Sequence, residues 1–70
     1  MSATQTYAVS ARLPGVADEI DLGDCAVTVA GEDRVIPASD PAMPELQKKL
    51  MSMGFSKTQA IEASYTTRKH

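Results

Sequence analysis

The stretch KKLMSMGFSKTQAIEAS, residues 48 to 64, constrains the fold more than any other feature of this chain. Leading into it, Met43, Leu46, Leu50 and Met53 recur at intervals of three, four and three, which is the apolar stripe of an amphipathic helix. Gly54 then fits the left-handed residue that commonly ends a helix. Directly after it, Ser56-Lys57-Thr58-Gln59 has the pattern of a capping box, in which the serine hydroxyl takes the Gln59 amide and the glutamine side chain reaches back. One helix therefore stops and another starts almost at once. Phe55 lies between them, placed to touch Leu50 behind it and to staple onto Ala60 or Ile61 ahead.

The segment ASDPAMPE sets the start of the first helix, because Pro37, Pro41 and Pro44 disfavour helix before them. Asp40 is placed to cap a helix beginning near Pro41; alternatively the helix begins at Pro44, where a missing N–H costs little. The second helix presents Ala60, Ile61, Ser64 and Tyr65 along one side and then frays into TTRKH. Ala60 and Ala63 are small enough to let the two helices approach closely.

The N-terminal half has a different period. In TYAVSARLPG, Tyr7, Val9, Ala11 and Leu13 fall on one side, which reads as a half-buried strand stopped by Pro14-Gly15. In CAVTVAGEDRVIPAS, Cys25, Val27 and Val29 share a face, followed by a polar turn and then Val35 and Ile36, the pattern of a hairpin. A lone two-stranded hairpin is marginal in water, so this half is expected to be an extended or β-hairpin arm.

Charge divides the chain at the same place. Residues 1 to 40 hold seven acidic residues against two arginines, net -5, while residues 41 to 70 hold five basic residues against two glutamates, net +3. The expected organisation is an acidic, β-prone arm and linker over 1–40 and a helical segment over 41–70. With 70 residues and 4% aromatic content, the chain buries a small core of aliphatic side chains and methionine, which suggests a fragment of a larger fold. A single cysteine excludes an internal disulfide and points to a reducing compartment, the cytoplasm or nucleus. No apolar run approaches the roughly 18 residues of a membrane span, so no membrane role is expected.

The residues LQKKLMSMGFSKTQAIEASY, 46 to 65, resemble the first two helices of a ubiquitin-associated (UBA) domain. The elements that agree are the Leu50 spacing, Met53-Gly54-Phe55, the capping box and the small residues Ala60 and Ala63, together about a third of the chain. The resemblance implies a mainly α fold, a compact three-helix bundle of which two helices are visible here, the third lying beyond the residues that can be assigned. It also implies a noncatalytic module that binds ubiquitin or polyubiquitin weakly and transiently, with Met53, Gly54 and Phe55 as the contact residues. Upstream, YAVSARLPGVADEIDL is similar to the segment that leads into the first internal UBA domain of isopeptidase T-like ubiquitin-specific proteases, which implies a deubiquitinase as parent. The rival expectation is a structural helical hairpin that packs on its own parent protein without meeting ubiquitin.

Catalytic, metal and nucleic-acid chemistry are not expected. A nucleophilic thiolate needs a neighbouring imidazole or cation, whereas Cys25 lies in an apolar run and the only histidine is His70. ADEIDLGD has the acids of a calcium loop, but placing Gly23 sixth puts Ile20 and Leu22 where oxygen ligands are needed, so the segment reads as a solvated acidic bend with no metal. No glycine-rich phosphate loop is present, and no cofactor is implied. Lys48, Lys49, Lys57, Arg68 and Lys69 lack the aromatic stacking partners that nucleic-acid surfaces add, and read as a solvated face.

Overall fold

The structure, a computed structural model, describes residues 4–68. His70 and Lys69 lie outside the described residues. Its elements are β1 (Gln5–Arg12), β2 (Ile20–Val27), α1 (Met43–Ser52), α2 (Lys57–Glu62) and β3 (Ser64–Arg68). The strands form one antiparallel sheet in the order β2-β1-β3.

The mainly α bundle is therefore corrected: two short helices pack on a three-stranded sheet. The physical reason is Ser64–Arg68. Tyr65, Thr66 and Thr67 favour extended backbone, and their alternation buries Tyr65 and Thr67 while Ser64 stays exposed. These residues do not fray after α2 but pair with β1, from Ala8↔Arg68 to Arg12↔Ser64. The third strand supplies what a lone hairpin lacks.

The N-terminal hairpin also differs from the expected one. β1 behaves as its alternation predicts, with Val9, Ala11 and the following Leu13 buried and Tyr7 half-buried. Its partner, however, is Ile20–Val27, so the acidic ADEIDLGD segment is largely strand rather than bend. Between the pairs Ala8↔Asp24 and Ser10↔Asp21 the second strand carries one residue more than the first. Gly23 absorbs it at φ +75°, its N–H donating to Asp21 Oδ1 at 2.8 Å. Leu22 and Cys25, three positions apart, thereby both reach the buried face, which an uninterrupted period of two forbids.

Val35 and Ile36 pair with neither β1 nor β2. The segment from Asp33 to Ile36 runs along the outer side of β3: the Asp33 N–H donates to the Thr67 carbonyl (2.8 Å), Thr67 N–H to Arg34 (2.9 Å) and Ile36 N–H to Tyr65 (2.7 Å). The Thr67 hydroxyl donates to the Gly31 carbonyl (2.8 Å) and accepts from the Arg34 N–H (2.9 Å). A fully buried hydroxyl is thus satisfied twice by the loop it holds. The outer edge of β2, in turn, carries Asp21, Asp24 and the Gly23 irregularity, features that discourage pairing with another chain.

One apolar core joins sheet and helices: Val9, Ala11, Leu22, Val27, Leu46, Leu50, Ala60 and Tyr65 belong to it, with Phe55 packed partly buried at its margin. Asp40 sets the approach to α1. Its Oδ1 accepts from the Ala42 N–H (2.8 Å) and its carbonyl from Met43 N–H (2.9 Å), while Oδ2 accepts from the Thr28 hydroxyl (2.8 Å). The helix begins at Met43, with Pro44 in its first turn where the missing donor is harmless.

Candidate functional site

The α1–α2 corner is built by local rules. The Met53 N–H donates to Leu50 and the Gly54 N–H to Met51, closing the last turn of α1. Gly54 has φ +102°, so the chain turns there and does not continue as one rod. The capping box of α2 is complete: Gln59 N–H donates to Ser56 Oγ at 3.1 Å, and Ser56 N–H to Gln59 Oε1 at 2.9 Å. Each end that meets at the corner is thus capped from within its own segment.

Met43, Leu46 and Leu50 of the apolar stripe are buried, but Met53 is 50% exposed, because it follows the last helical residue and lies beyond the sheet's cover. Gly54 is exposed and Phe55 half-buried. The three sequence-predicted contact residues are consecutive at one corner, with Met53 and Gly54 at the surface.

Two apolar side chains that the helical pattern did not single out as surface features accompany them. Met51 is 39% and Ile61 58% exposed; with Met53 they account for three of the five exposed large apolar residues among the described residues, Val16 and Val35 being the others. For Met51 the signal was available in its position off the buried stripe, whereas Ile61, which the pattern placed beside Ala60 and Tyr65, lies at the surface while those two are buried. Met51 lies in a shallow groove of about 240 Å³ on the outward side of α1, lined also by Pro44, Glu45, Gln47, Lys48 and Lys57.

The described cations differ in their partners. Arg12 and Arg68 both reach Glu19 Oε1, and Arg68 also reaches Asp33 at 3.1 Å, across the sheet face that the helices leave open. Lys49 Nζ donates to the Asp24 carbonyl at 3.2 Å. Lys48 and Lys57, by contrast, have no carboxylate within ion-pair distance among the described residues. Lys48, Lys49, Lys57 and Arg68 thus differ in their partners, and Lys69 lies outside the described residues.

Cys25 is buried on the inner side of β2, with Lys49 Nζ 3.4 Å from its Sγ. A cation stands beside the thiol, but no imidazole does among the described residues, which contain no histidine. No group of three or more metal-ligating side chains occurs among the described residues, and none of the helices there is long and apolar enough to cross a membrane.

Comparisons with protein-family models, with curated proteins and with solved structures found no match.

Proposed function

We propose that the chain is a noncatalytic protein-interaction module that meets its partner with the Met53-Gly54-Phe55 corner, and that this partner is ubiquitin. The carrying observation is the half-exposed Met53 at a corner fixed by Gly54. A methionine there offers adaptable apolar contact, and neither helix needs to rearrange to present it. Ubiquitin comes from the resemblance of residues 46 to 65; the corner geometry supports apolar contact with a protein. A contact of this size implies transient binding, and a dissociation constant near 0.1 mM corresponds to about 5 to 6 kcal/mol. Linked sites on polyubiquitin would raise the effective affinity.

The test is a titration of the isotope-labelled chain with ubiquitin, followed through its amide signals. Shifts at Met53, Gly54 and Phe55 that vanish in Met53→Glu are expected. Unchanged spectra would reject ubiquitin.

The closure of the helical pair by β3 supports a second reading. The family implied by the resemblance uses a third helix for part of its contact, and here the residues after α2 belong to the sheet. In this reading the corner packs on a neighbouring region of a longer parent protein. Silence toward ubiquitin, together with burial of Met53 in the longer protein, would favour it.

A further inference from the structure

The groove on the outward side of α1 uses none of the corner residues, and its charges are unspent. Lys48 and Lys57 flank exposed Met51, and Lys57 shares its side of α2 with Ile61, four residues on. On the sheet side, Arg12 and Arg68 each have a carboxylate partner. Two free ammonium groups beside two exposed apolar side chains form a surface whose complement is negative at its rim and apolar at its centre.

We propose that this groove docks an acidic amphipathic polypeptide segment, with one apolar side chain seated on Met51 and carboxylates reaching Lys48 and Lys57. A volume of about 240 Å³ is below the usual span of small-molecule pockets but suits a single side-chain anchor. Glu45, on the same lining, repels acids at its end of the groove and so gives the segment a direction. Two lysines opposed by a glutamate are few for an anionic membrane, which selects clusters of basic residues. A polypeptide with spaced acids matches them better.

The probe is a fluorescein-labelled peptide with a central leucine flanked by glutamates, read by anisotropy, alongside the same peptide with glutamine in place of glutamate. The acidic peptide is expected to bind at least about tenfold more tightly than the neutral one, and added salt should narrow the gap. The double variant Lys48→Glu, Lys57→Glu and the single variant Met51→Glu should each weaken it by about tenfold or more, with circular dichroism unchanged because all three positions are exposed. Met53→Glu should leave it intact, which separates this site from the corner. Equal affinity for the two peptides, indifference to charge reversal, or no binding by about 1 mM would overturn the proposal. So would preferential binding to phosphatidylserine-containing vesicles, or self-association of the chain through the same lysines.

Discussion

Tyr65 donates its phenolic hydrogen to the Ala60 carbonyl at 2.7 Å, so the first buried residue of β3 satisfies a backbone acceptor of α2 five residues earlier. This bond fastens the short second helix to the strand that closes the sheet. Tyr65→Phe should lower stability by about 1 kcal/mol in urea unfolding. Burial also pushes the Tyr65 pKa up. The unfolded chain therefore loses this proton first as pH rises, and stability should fall above the unfolded value of about 10, a decline that the phenylalanine variant shows less. An unchanged midpoint in the variant would mean that the hydroxyl is solvated.

Asp40 joins two regions of the chain through one carboxylate. Burial pushes its pKa up, but hydrogen bonds from the Ala42 amide, the Thr28 hydroxyl and the Thr28 and Val29 amides outweigh it and hold the value below the ordinary one. Its stabilisation is therefore complete above the unfolded value of about 3.9 and is lost as pH falls below that and through the lower folded value. Asp40→Ala should cost about 2 to 3 kcal/mol at neutral pH and flatten the acid limb of the stability curve. Parallel acid limbs in the two proteins would contradict this role.

Gly54 is required for its backbone rather than for space. A methyl group there would meet nothing within 4 Å, yet φ is +102°. Gly54→Ala should thus cost about 1 to 2 kcal/mol with no change in the surrounding packing. A negligible loss in thermal unfolding would show that α1 does not end in this turn.

Local signals were the legible ones. The glycine turn and the capping box depend on neighbours within a few residues, and the alternation of β1 marks its buried side directly. β2 was obscured because Gly23 breaks its period, so that Leu22 falls out of the pattern begun at Cys25, and because Asp21 and Asp24 look like loop residues. β3 was obscured because one of its two inward side chains is polar, and the partners that satisfy Thr67, Gly31 and Arg34, are distant in sequence. At the candidate site, the exposure of Met53 depends on where the sheet ends, and the groove needs Lys57 brought beside Met51 across the turn. Neither relation is present in one helix's periodicity.

A sheet-backed helical pair covers Met43 and leaves Met53 outside. Methyl-labelled methionines in the presence of a soluble paramagnetic probe test this directly. Met43, 7% exposed, should be protected, while Met51 and Met53 should relax strongly. A Met53 methyl as protected as that of Met43 would contradict the account.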